Sequence, residues 1–90
     1  MNLLDIKNIF VVVAPDYTED EVRNILIDDG YVDNFVFGSR YTIDDRDVWK
    51  DIMGKCDEVW IFGKSYRTFG EAKWQHSYAK KEGFEIWNMG

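Results

Sequence analysis

The sequence has little of three residue types and a shortage of positive charge. It contains one Cys, one Pro and one His, and its 90 residues carry 11 Lys and Arg against 17 Asp and Glu, a net charge of −6. The lone Cys56 excludes an internal disulfide and a thiolate metal site, and suits a reducing, cytoplasmic setting. The acidic balance argues against broad nucleic-acid binding, which depends on cations that neutralise phosphates. It suits a solvated surface or a basic protein partner. No run approaches the ~20 apolar residues that cross a bilayer, and the first residues lack a basic-then-apolar signal pattern, so no membrane partner is expected. With no internal repeat, low-complexity tract or linker, the length fits one domain, residues 1–90.

What the chain does have is aromatic residues: four Trp, five Tyr and six Phe within a 46% hydrophobic composition. A domain of this size leaves much of its surface in water. Most of the rings are expected in the core. Some are expected in a ligand site or on a self-association face, so a homodimer is compatible with the composition.

The apolar pattern alternates between strand and helix. Lys7–Ala14 is a continuous β-branched run of the kind covered on both faces in a parallel sheet, and Pro15 ends it. Thr18-Glu19-Asp20-Glu21 forms a capping box, with Val22, Ile25 and Leu26 as the buried face of a first helix and Gly30 at its end. Asn34–Phe37 reads as a second strand. Asp44 or Asp45 is expected to cap a second helix, whose apolar stripe is Val48, Ile52 and Cys56, widened by Trp49 and Met53. Glu58–Phe62 is a third strand. Thr68-Phe69-Gly70-Glu71 offers another capping box for a third helix, with Ala72, His76 and Ala79 towards the sheet, and Phe84–Trp87 is a fourth strand.

Strands alternating with helices predict an α/β, three-layer Rossmann-like sandwich around a four-stranded parallel sheet. Right-handed crossovers favour the order 2-1-3-4. Such a sheet binds ligands where its order reverses, at the carboxyl ends of strands one and three. Those ends are Ala14-Pro15-Asp16-Tyr17 and the segment Gly63-Lys64-Ser65-Tyr66-Arg67-Thr68-Phe69-Gly70.

The second segment holds two glycines, two cations and three hydroxyls before a helix, the makings of an anion or phosphate cradle. Gly63-Lys64-Ser65 matches the end of a P-loop, but Glu58 stands where the leading glycine belongs, and a G-x-G-x-x-G fingerprint is absent. Lys64, Arg67 and Arg40 are expected at one rim as phosphate or carboxylate partners. Tyr17, Tyr41 and Tyr66 fall in loops at the same rim, where they could sandwich a base or sugar; the alternative is that all these are solvated loop residues. His76 stands without ligand-spaced partners and reads as a helix-face residue, not a metal ligand. Ser65 and Ser77 lack placeable His–Asp partners, so a hydrolase triad has no support. Asp16, Asp44, Asp45 and Asp47 read first as caps or surface acids, although Asp16 and Asp47 can approach the cleft. No cofactor is expected.

Three stretches carry a resemblance. They are Asp47-Val48-Trp49-Lys50-Asp51-Ile52, then Cys56-Asp57-Glu58-Val59-Trp60-Ile61-Phe62-Gly63, then Tyr78-Ala79-Lys80-Lys81-Glu82-Gly83-Phe84-Glu85-Ile86, with Ala14-Pro15 as a small-residue–Pro turn. Together they resemble the nucleoside 2-deoxyribosyltransferase-like superfamily and the neighbouring SLOG nucleotide-sensor domains, over about half the chain. The resemblance implies a Rossmann-like sheet and a nucleoside, nucleotide or nucleotide-derived ligand. It also implies a nucleophilic glutamate one helical turn before Ala79, where this chain has Gln75, an amide that cannot attack as a carboxylate. Glu71 lies one turn further back and is also the expected capping partner of Thr68. The loop glycine, Gly70, stands one residue off the family's register, and the chain is shorter than typical transferases.

The leading expectation is therefore a small nucleotide-type binder, in which Lys64, Arg67 and the Gly70 backbone hold phosphate while Tyr17 and Tyr66 contact base or sugar. Such a binder could sequester a signalling nucleotide, as in a phage or defence setting. One alternative is a deoxyribosyltransferase or N-glycosidase using Glu71 or Asp47. Another is an acidic protein-interaction or inhibitor module anchored by exposed Trp and Tyr.

Overall fold

The computed structural model describes residues 7–31, 33–38, 46–67 and 70–89, apart from the side chains of Arg46, Arg67 and Glu71. The elements run β1 (Asn8–Val13), α1 (Glu19–Asp28), β2 (Asn34–Phe37), α2 (Arg46–Gly54), β3 (Glu58–Phe62), a 3₁₀ turn (Lys64–Arg67), α3 (Gly70–Lys81) and β4 (Glu85–Asn88). The sheet has the order β2-β1-β3-β4 and every pairing is parallel. The architecture is the expected α/β fold, consistent with a Rossmann-like sandwich.

β1 is central because its side chains suit both faces. Ile9, Val11 and Val13 join Trp60 and Phe62 of β3 beneath Val22 and Leu26 of α1. Phe10 and Val12 join Val59 and Ile61 beneath Trp49 and Met53 of α2 and Ala72 and Ala79 of α3. From Ile9 to Val12 the strand has no exposed surface. Each such aliphatic or aromatic side chain stabilises the fold by about 1.5–3 kcal/mol relative to exposure. α1 thus covers one face, while α2 and α3 cover the other. The chain leaves β1 towards α1 and leaves β3 towards α3, on opposite faces, which opens the sheet at the β1–β3 junction.

Local chemistry accounts for the first helix. The Thr18 hydroxyl accepts from the Glu21 N–H at 3.1 Å, and the Glu21 carboxylate accepts from the Thr18 N–H at 2.9 Å. The helix ends where Gly30 takes φ = 76°, a conformation glycine adopts without steric cost. The cap of α2 at Asp44 or Asp45 and the capping box of α3 lie outside the described residues.

Two helix faces differ from expectation by one residue. In α2 the buried positions are Trp49 and Met53, with Cys56 just beyond the helix, while Val48 is 48% exposed. In α3 the buried face is Ala72, Gln75 and Ala79, spaced i, i+3, i+7; His76 is half-buried against Tyr66 instead. Successive helical residues are about 100° apart, so moving the stripe by one position turns Val48 to water and His76 to the flank. β4 also begins one residue later than expected, at Glu85, and extends to Asn88.

Candidate functional site

The site begins with a turn. The Tyr17 N–H donates to the Ala14 carbonyl at 3.1 Å, so Ala14-Pro15-Asp16-Tyr17 is a β-turn with Pro15 at the position its fixed φ favours. The turn is anchored to β3 by the Ala14 N–H, which donates to the Phe62 carbonyl at 2.9 Å. It carries Asp16 across to the segment leaving β3. There the Asp16 carboxylate accepts the Ser65 backbone N–H at 3.0 Å and the Ser65 hydroxyl, both at Oδ1.

Gly63 makes this contact geometrically possible. It has φ = 103°, and a Cβ built on it would lie 2.7 Å from Asp16 Oδ1 and 2.9 Å from the Ala14 Cβ. A side chain here would therefore combine backbone strain with a clash. The Ser65 hydrogen bonds, side chain first and then backbone, hold the Asp16 carboxyl below its ordinary pKa despite some desolvation. Beside this pair opens a cleft of about 340 Å³, lined among the described residues by Asp16, Tyr17, Gly63 and Lys64. The Tyr17 ring packs edge-on against Phe62, with centroids 6.2 Å apart, while Lys64 is exposed.

Of the residues singled out in the sequence, the structure brings together Pro15, Asp16, Tyr17, Gly63, Lys64 and Ser65. Tyr66 turns towards α3, its ring 4.8 Å from the His76 ring. Gly70 begins α3 and is exposed, with open space where a Cβ would stand. Gln75 is 1% exposed, and its Oε1 would lie 2.7 Å from a Cβ at Gly38, so its amide packs into the core beside the end of β2. Asp47 is exposed on the first turn of α2, 3.9 Å from Lys50. Arg40, Tyr41, Thr68 and the side chains of Arg67 and Glu71 lie outside the described residues.

Glu58, at the other end of β3, is a charged group for which the sequence predicts no role. This carboxylate is buried, accepting from Lys7 Nζ at 2.6 Å and from the Trp60 indole N–H at 3.0 Å. The Lys7 hydrogen bond, followed by that of Trp60, holds Glu58 below the usual carboxylate range; Lys7 is correspondingly raised. An acid opening an otherwise apolar strand was the available signal, but its partner lies 51 residues away.

Cys56 is buried and donates its thiol to the Ile52 carbonyl, and desolvation followed by the nearby Asp57 charge raises its pKa. It is thus kept as a thiol, poorly suited to nucleophilic attack. Among the described residues no group of three or more His, Cys, Asp or Glu is placed to hold a metal ion, and no helix is long and apolar enough to cross a membrane.

A second concavity, about 320 Å³, lies between α1 and β2. It is lined by Arg23, Leu26, Ile27, Tyr31, Asp33, Phe35 and Phe37. Its position at a sheet edge sets it apart from the cleft at the β1–β3 junction.

No family model, curated protein or solved structure gives a significant match to this chain.

Proposed function

We propose that the protein binds a nucleoside or nucleotide-derived small molecule in the cleft at the carboxyl ends of β1 and β3. The observation that carries this reading is the reversal of strand order there, with the chain leaving to opposite faces beside an open cleft that Asp16, Tyr17 and Lys64 line. Parallel sheets bind ligands at such junctions. Tyr17 supplies an aromatic edge for a base or sugar, Lys64 a cation for a phosphate, and Asp16 a fixed acceptor. Recognition is favoured over glycosyl transfer because Gln75 is an amide packed into the core. In this reading the protein sequesters its ligand, for which a phage or defence setting is one context. Calorimetry against nucleosides, nucleotides and NAD-derived cyclic nucleotides tests it. Binding at micromolar ligand, weakened by Lys64→Ala or Tyr17→Ala, is expected; silence across the panel at high micromolar concentration removes the proposal.

A second reading, an interaction face for another copy or a protein partner, is favoured by Ile27 at 73%, Trp87 at 49% and Tyr31 at 40% exposure. Sedimentation over a concentration series checks the homodimer. A monomer throughout would remove self-association.

A further inference from the structure

The segment after β3 looks at first like a cradle for phosphate, yet the backbone N–H of Ser65 already has its anion. Asp16 Oδ1 lies 3.0 Å from that N–H and also accepts the Ser65 hydroxyl. Gly63 keeps this arrangement free of a Cβ that would collide with the carboxylate. A phosphate approaching Ser65 would have to displace a fixed carboxylate or sit against its charge, and both oppose binding. What a pinned carboxylate offers a ligand is acceptor capacity. With one oxygen committed to Ser65, an ionised carboxylate still has lone pairs for donors. Lys64 lines the same cleft. Its positive charge disfavours a cationic ligand at this place and leaves neutral donors as the better match.

We propose that Asp16, held in place by Ser65 and Gly63, recognises the sugar hydroxyls of the ligand, and that the Ser65 amide is not a phosphate site. This inference rests on the nucleoside reading and sharpens it. The cleft selects for a hydroxyl-bearing ribose, and any phosphate contributes through Lys64 alone. Hydrogen bonds to a charged acceptor are the stronger kind, so removing either the hydroxyls or the charge is expected to cost about tenfold or more in affinity.

The test is calorimetric titration of the full chain with adenosine, guanosine, cytidine and uridine. The tightest binder is then compared with its 2′,3′-dideoxy form and its 5′-monophosphate, on wild type and on Asp16→Asn. The expected result is a loss of about tenfold or more for the dideoxy form on wild type and for the natural nucleoside on Asp16→Asn. The two losses should not add, because both remove the same contact. The monophosphate should differ from the nucleoside by less than about tenfold. Affinities for the dideoxy form within about threefold of the natural nucleoside overturn the inference and leave the nucleoside reading standing. So does a monophosphate that gains strongly and binds Asp16→Asn tighter still. If no nucleoside or nucleotide binds wild type, the proposed function falls and this inference with it. Should Asp16→Asn fail to fold, the dideoxy comparison on wild type decides alone.

Discussion

The two ends of the sheet use carboxylates in opposite ways. At the amino end Glu58 is buried, with its oxygens taken by Lys7 and the Trp60 indole. Around it Asp57 accepts from the Asn8 N–H at 2.8 Å, Asp33 accepts from the Lys7 N–H at 3.3 Å, and the Asn34 and Asn8 side chains meet at 3.4 Å. At the carboxyl end Asp16 is exposed, and its hydrogen bonds to Ser65 aim it at an open cleft. Both acids are held below their ordinary pKa, but the causes differ: a cation and an indole at one end, a hydroxyl and a backbone amide at the other. The first arrangement closes on itself and ties β1 to β3. The second orients a charge and leaves it accessible. A depressed carboxyl alone therefore does not mark a functional site, because a structural ion pair such as Lys7–Glu58 depresses one as well.

The largest expected effect comes from forcing the two strand ends apart at the cleft. Gly63→Ala places a Cβ against Asp16 and Ala14 at φ = 103° and is expected to cost about 2–4 kcal/mol in a denaturant melt, with loss of ligand binding. Next comes the closed end. Glu58→Ala leaves the buried Trp60 N–H without its acceptor, for an expected loss of about 2 kcal/mol, or roughly 10 °C in Tm for a chain of this size. Asp16→Asn should shift Tm far less than Glu58→Ala while weakening binding, since its amide oxygen still accepts from Ser65. A reversal of those two stabilities would break the contrast between the ends.

The pH dependence sharpens the same comparison. Glu58 has a lower pKa in the folded chain than its unfolded value near 4.3, so its ionised form favours folding above that pH. This contribution fades as pH falls through the depressed folded value. The stability gap between wild type and Glu58→Gln, followed by urea melts from pH 7 to about pH 3, should accordingly narrow below about pH 4. Arg23→Ala gives the smallest effect. Its pair with Glu19 is half-exposed on both sides, and its guanidinium sits 4.2 Å from the centre of the Phe37 ring, so a loss of about 0.5–1 kcal/mol is expected in the same melts. Binding at the β1–β3 cleft should be unchanged by it.

Much of the fold was legible because it is written in short-range patterns. The Thr18–Glu21 capping box, the β-branched run of β1, and the bounds of β2 and β3 follow from neighbours a few residues apart. Strand order followed from crossover handedness. The faces of α2 and α3 were less secure, because adjacent residues compete for one stripe: Val48 with Trp49, and His76 with Gln75. The larger residue won in α2, whereas in α3 the long amide of Gln75 reaches Gly38 and His76 meets the Tyr66 ring. The meeting of the Asp16 turn and the Gly63–Ser65 segment at one rim was legible, since topology fixes the rim, whereas the bonds between them were not. Asp16 and Ser65 are 49 residues apart, and nothing local to either tells that one takes the hydrogen bonds of the other. The same separation hid the Lys7–Glu58 pair.

The central claim, that the open carboxyl end of the sheet is where the protein meets its ligand, is tested most directly by amide chemical-shift mapping. ¹⁵N-labelled protein is titrated with the tightest-binding nucleoside. The expected result is saturable shifts concentrated at Asp16, Tyr17, Gly63, Lys64 and Ser65, with Arg23, Ile27 and Tyr31 unmoved. Shifts confined to the α1–β2 groove, or none at saturating ligand, would contradict it.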